Sequence, residues 1–146
     1  MTRIDFYVLD ENSSLSREQF VCRLVEKAYH KSHQIYLQTQ DQVQAQHLDE
    51  LMWTYRQGSF LPHICLAAGT EPDSMTPVQI SHGEDQCPHD DVLINLATDV
   101  PLFFSRFHRV AEIIPGDESL RTQARERFRF YRDRGYTLHT HPITEG

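Results

Sequence analysis

The sequence predicts an α/β fold in three layers, α/β/α, with a mostly parallel sheet in the middle. Three observations predict it. Residues 3–9, RIDFYVL, read as a buried strand rich in aromatic and branched side chains. A helical pattern follows, and residues 34–38, QIYLQ, alternate like a second strand, so the three segments make a βαβ unit whose strands lie parallel. Residues 91–96, DVLINL, read as a further buried strand. With 146 residues, 39% hydrophobic and 24% charged, the chain can bury a proper core and is not disordered. Residues 1–146 are therefore expected to form a single Rossmann-like domain.

Each element has a local cause. Asp10 to Ser14 is a polar loop. Ser16 and Gln19 make an S-x-x-Q capping box for the first helix, whose Val21, Leu24, Val25 and Ala28 recur at helical spacing and face the core. That helix should end near Lys31 to His33. Asp41 and Gln44 repeat the capping signal for a second helix, with Leu48, Leu51, Met52 and Tyr55 as its buried stripe. Trp53, the single tryptophan, points away from that stripe, and Phe60 follows in a loop after Gly58. Trp53 either packs under a neighbouring loop or anchors a protein partner, a use for which tryptophan is enriched. Residues 61–67, LPHICLA, read as a short strand with Pro62 near its start, and Val78 to Ile80 as another. Between these two strands Gly69 to Pro77 is a loop, and residues 82–90, HGEDQCPHD, form a polar surface loop. Pro101 should start a short helix over LFFSRF. Residues 109–114, RVAEII, are a strand, YTLHT after Gly135 is a last one, and the chain from Pro142 onward reads as loose.

The stretch IIPGDESLRTQARERFRFYRDRG, residues 113–135, is the most informative. Pro115 and Gly116 break what precedes, Asp117 caps a helix of about five turns, Glu118 complements its dipole, and Gly135 closes it at C′. At ~100° per residue Arg121, Arg125, Arg129 and Arg132 share one stripe. Leu120, Ala124, Arg127 and Tyr131 lie on the adjacent flank, and Phe128 sits at the boundary. Stacked guanidinium groups beside an aromatic ring suit a ligand with both carboxylates and an apolar end. A solvated face is the plainer reading of the same stripe.

A formal net charge of −7 argues against a general nucleic-acid binder, which needs a basic surface. Cys22, Cys65 and Cys87 form no CxxC pair and fit a reducing cytoplasm, and Cys65 reads as an inert core residue. The N-terminus lacks the regions of a signal peptide, and no apolar run approaches the ~20 residues of a membrane span. The first strand is followed by DENSSLS, without the glycines of a phosphate cradle; neither GxxxxGK[ST], GxGxxG nor GxSxG occurs. His82, Cys87, His89 and Asp90 lack a zinc spacing, and His139 with His141 on one strand face offer two ligands at most. No metal and no cofactor are expected.

The opening FYVLD, SFLPH at 59–63, DVLINL, and IIPGDESLRTQARERFRFYRDRGY resemble, in the same order and over nearly the whole chain, the chi subunit of bacterial DNA polymerase III. The resemblance implies a non-catalytic, cytoplasmic accessory subunit of the clamp-loader complex. It would form a heterodimer with the psi subunit and bind the acidic C-terminal tail of single-stranded DNA-binding protein, with no sequence-specific nucleic acid contact of its own. It implies further that the tail meets Arg121 and Arg125, with Arg129 flanking, and that the tail's terminal ring enters a pocket near Ile114 and Phe128. Trp53 and Phe60 match the family's aromatic positions on a second surface, for psi or other partners. Phe128 stands where the family often has tyrosine, and Arg121 where lysine is common. The competing reading is a nucleotide- or phosphate-dependent enzyme on a Rossmann-like fold, with the arginines as phosphate clamps.

Overall fold

The computed structural model describes residues 2–10, 16–54, 61–66, 76–82 and 89–143. Tyr55, Phe60 and Cys87 lie outside them. The described chain runs β1 (Arg3–Leu9), α1 (Arg17–His30), β2 (Ile35–Thr39), α2 (Gln42–Thr54), β3 (His63–Cys65), β4 (Val78–His82), β5 (Val92–Asn95), β6 (Arg109–Ile114), α3 (Glu118–Asp133) and β7 (Leu138–Ile143). The seven strands form one sheet in the order β3-β4-β2-β5-β6-β1-β7, and every pairing is parallel.

Strand alternation divides the core in two. Leu9, Ile35, Leu37, Ile80, Ile94 and Ala111 point to one face, where they meet Val21 and Val25 of α1 and Leu48 and Met52 of α2. Ile4, Phe6, Tyr36, Leu93 and Val110 point to the other, where Tyr131 of α3 and the phenylalanines 104 and 107 cover them. Each such buried side chain contributes roughly 1.5–3 kcal/mol relative to exposure. Helices thus lie on both faces, as in other parallel sheets.

The capping signals act as the sequence implies. The Ser16 hydroxyl accepts the Gln19 N–H while the Gln19 side chain accepts the Ser16 N–H, a reciprocal box. Asp41 accepts the Gln44 N–H at 2.9 Å, although Gln44 reaches back to the N–H of Gln40 rather than of Asp41. Asp117 accepts the Leu120 N–H, and Gly135 takes φ +86° just past α3.

Five expectations are corrected. Strand β3 covers only His63–Cys65, and β4 runs two residues past Ile80 to His82. LFFSRF makes only a 3₁₀ turn, Phe104–Arg106, closed by the Arg106 N–H on the Phe103 carbonyl and the Phe107 N–H on the Phe104 carbonyl. A 3₁₀ turn aligns positions i and i+3, which here buries Phe104 and Phe107 together. The last strand extends through Pro142 to Ile143, beyond the point where the chain was expected to loosen. Strand β7 is an edge, and proline's missing N–H is tolerated there. Cys65 is only partly buried, against the core rather than within it.

Candidate functional site

Helix α3 distributes its arginines among three environments. Arg127 turns inward and is 5% exposed. Its Nε donates to Glu112 Oε1 at 2.8 Å and its Nη1 to the Thr98 carbonyl at 3.0 Å. Glu112 comes from β6 and is fully buried; its Oε2 also accepts from the Tyr131 hydroxyl at 2.7 Å and from Asn95 Nδ2 at 2.9 Å. A buried carboxylate is tolerated only with this kind of pairing. Burial pushes the Tyr131 hydroxyl pKa well up, and the adjacent Glu112 carboxylate adds to the shift. The network locks α3 in rotation over the sheet.

Arg121 takes the second environment. Its Nε donates to the Pro115 carbonyl at 3.0 Å and its Nη2 to the Leu9 carbonyl at 2.9 Å, so it ties the start of α3 to the end of β1. Its stripe position predicts an outward cation, but its guanidinium bends back onto these two carbonyls.

Arg125, Arg129 and Arg132 face outward, with side chains 59%, 60% and 60% exposed. They reach Glu118 at 3.5 Å, Glu126 at 3.1 Å and Asp133 at 3.6 Å. Such exposed pairs contribute little and exchange readily for another carboxylate. Phe128, one turn on from Arg125, is half-buried with its ring 5.2 Å from Phe6. Ile114 at the end of β6 is likewise half-buried on the fringe of the same core. Exposed guanidinium groups therefore border a partly accessible apolar fringe, which can hold carboxylates and an apolar group together.

Trp53 stands at the end of α2, 51% exposed, with its ring 4.4 Å from that of His63. Asp49 pairs with His63 Nε2 at 3.2 Å and fixes that ring beneath it. The two surfaces lie on opposite faces of the sheet, since α2 and α3 cover different cores. Phe60 belongs to the segment outside the described residues. His89 is buried and bonds the Thr76 carbonyl at 2.8 Å, while His141 pairs with Asp5. No helix among the described residues is long and apolar enough to cross a membrane.

Sequence reasoning missed the Glu112–Arg127–Tyr131–Asn95 network. The available signal was an acid at an inward position of RVAEII, facing a helix whose apolar flank includes an arginine.

The sequence family described as DNA polymerase III chi subunit, HolC, matches residues 1–139. Among curated relatives, the DNA polymerase III subunit chi of Pseudomonas aeruginosa is 41% identical over 143 residues, covering 98% of each chain. That of Haemophilus influenzae is 32% identical over 139 residues, covering 94% of this chain and 95% of the relative. That of Escherichia coli is 32% identical over 145 residues, covering 96% of this chain and 97% of the relative.

Proposed function

The chain belongs to the DNA polymerase III chi subunit family, which assigns it to DNA replication, and we propose that it works there as a non-catalytic connector. Its α3 face binds the acidic, apolar-ended C-terminal tail of single-stranded DNA-binding protein. Its Trp53 surface receives the psi subunit, and through psi the tail is linked to the clamp loader. The observation that carries this reading is the side-by-side arrangement on α3: Arg125 and Arg129 outward, with half-buried Phe128 a turn away. The tail's carboxylates displace the weak pairs to Glu118 and Glu126, and its terminal ring packs against Phe128 and Ile114. Arg125 is the main contact and Arg129 flanks it. Arg121 contributes through the geometry of the first turn, since its donors already serve Pro115 and Leu9.

Charge-assisted hydrogen bonds contribute roughly 1.5–3 kcal/mol each, and ~1.4 kcal/mol is a factor of ten. Isothermal titration with a tail peptide should show Arg125→Ala weakening binding about tenfold or more. Arg125→Lys recovers part of this, because the bidentate fork is lost. Phe128→Ala also weakens binding but changes the salt dependence less. Unchanged affinity in a folded Arg125→Ala protein would refute the assignment. Trp53→Ala should weaken psi binding and leave tail affinity intact.

A nucleotide site at the carboxyl ends of the strands fares worse on geometry. Among the described residues, the cavity at the carboxyl ends of β2 and β5, lined by Gln40, Leu96, Thr98 and Arg127, holds about 90 Å³. Small-molecule sites run to several hundred. In a thermal-shift screen the tail peptide should raise Tm by mass action and nucleotides should not.

A further inference from the structure

The sheet face opposite α3 is incompletely covered. Helix α1 packs over β2, and a groove of about 330 Å³ runs between it and β5, β6, β1 and β7. Its floor is apolar: Leu24, Ala28, Val92, Ile94, Ala111 and Ile143. Its banks are cationic. Arg23, Lys27 and Lys31 recur every four residues along α1 and its C-cap, all exposed and in no ion pair among the described residues. Arg109 stands on the far bank. No carboxylate among the described residues lines the groove.

Two acids beside lining residues are already engaged. Asp5 is fully buried on β1 and accepts from Arg109 Nε at 2.7 Å, His141 Nε2 at 2.7 Å and Arg3 Nε at 3.1 Å. That grip fixes Arg109 at the edge of the trough. Asp91 pairs with His33 at 3.0 Å. A chain of formal charge −7 thus concentrates four uncompensated or half-compensated cations around one apolar floor.

We propose that this groove docks an acidic segment of a partner protein, carrying one or two apolar side chains between its carboxylates, at a site separate from α3. The cations call for anionic charge on both banks, and the floor calls for apolar groups between them. From Arg23 to Lys31 is ~12 Å at 1.5 Å per helical residue, the length of three to four extended residues. Single-stranded nucleic acid fits less well, because its bases need free aromatic faces. Here the Tyr7 ring stacks on His141, centroids 4.9 Å apart, and packs against Phe20 at 5.6 Å. A bilayer surface needs protruding apolar side chains, and these are recessed.

The test uses the full chain in the Arg125→Ala background, so that the α3 face is disabled independently. The probe is a fluorescein-labelled hexapeptide alternating aspartate with leucine and phenylalanine. Anisotropy should show saturable binding, lowered at least tenfold by Lys27→Glu with Lys31→Glu. Ala28→Phe, which fills the trough without changing charge and whose fold is checked by Tm, should lower it similarly. The peptide with asparagine for aspartate, and an oligothymidylate of equal length, should each bind at least tenfold more weakly. Methyl NMR should place the shift changes on Ala28, Ala111 and Ile143. Absence of binding, affinity untouched by both the charge reversal and a folded Ala28→Phe, shift changes confined to α3 or Trp53, or equal binding of the oligonucleotide would each overturn the proposal.

Discussion

Replacing Glu112 by glutamine tests whether α3 is positioned by charge or by apolar packing alone. The side chain keeps its volume but loses its charge and one acceptor. Three donors converge on Glu112: Arg127 Nε at 2.8 Å, the Tyr131 hydroxyl at 2.7 Å and Asn95 Nδ2 at 2.9 Å. A glutamine amide nitrogen must face at least one of them. The Tyr131 hydroxyl can turn and accept, but Arg127 and Asn95 are donors only at these atoms. Arg127 stays 5% exposed with an uncompensated charge. Breaking a buried pair from one side costs about 3–5 kcal/mol. For a chain of this size that is a fall in Tm of roughly 6–20 °C. Urea denaturation followed by circular dichroism measures the free-energy loss, and a thermal melt the fall in Tm. The triple change Glu112→Leu, Arg127→Met, Tyr131→Phe removes every charge and the orphaned hydroxyl, and should recover most of the loss. A Glu112→Gln protein within about 1 kcal/mol of the parent would refute the reasoning, and so would a triple variant no better than the single one.

Three further outcomes follow from single sites. Burial alone would raise the Asp5 carboxyl, but bonds from His141, Arg109 and Arg3 outweigh it and hold the pKa below the ordinary value. The stability this supplies is present above the unfolded value of about 3.9 and is lost as pH falls through the lower folded one; acid titration of Tm should lose that slope in Asp5→Asn. Burial, with Glu18 nearby, pushes the Cys22 thiol up to about 12, so site-resolved thiol labelling at pH 8 should modify it only on unfolding, whereas partly exposed Cys65 reacts in the native protein. Gly135→Ala meets nothing within 4 Å, so its cost should be that of a left-handed residue alone, roughly 1–2 kcal/mol by urea denaturation.

What could be read in the sequence was whatever is decided locally. The Ser16–Gln19 box, the Asp117 cap and the left-handed Gly135 each involve residues within a few positions, so a short window contains the whole cause. Trp53 is exposed for the same reason: its angle on α2 separates it from Leu48 and Met52. Buried charge is decided elsewhere. Glu112 meets Arg127 fifteen residues on, and Asp5 meets His141 across 136 residues, so the pairing exists only once the sheet has assembled. The stripe on α3 likewise identified which arginines share a direction. It could not identify that strand-end carbonyls would claim Arg121 and leave the exposed set to begin at Arg125. The expected short helix at LFFSRF failed because burial of two rings three apart overrode helix propensity.

The same carbonyls explain why a sheet of this kind acts through its outer surfaces. In open parallel sheets, ligands enter where neighbouring strands send their crossovers to opposite faces. Strands β1 and β6 are such neighbours, since α1 and α3 cover different cores. There Arg121 spans the gap, donating to Leu9 at the end of β1 and to Pro115 after β6. Strands β2 and β5 make a second such place, where the Gln40 side chain accepts the Thr98 N–H at 2.6 Å across the opening. In both, the chain's own groups occupy the polar positions that a phosphate would need. Opening either crevice means breaking those part-buried or exposed bonds, at ~0.5–1.5 kcal/mol each before any ligand contact forms. Binding chemistry is therefore displaced outward, to helix faces whose cations have only weak partners to give up. On α3 that leaves Arg125 and Arg129, and on the opposite side of the sheet Arg23, Lys27 and Lys31 of α1 and its C-cap.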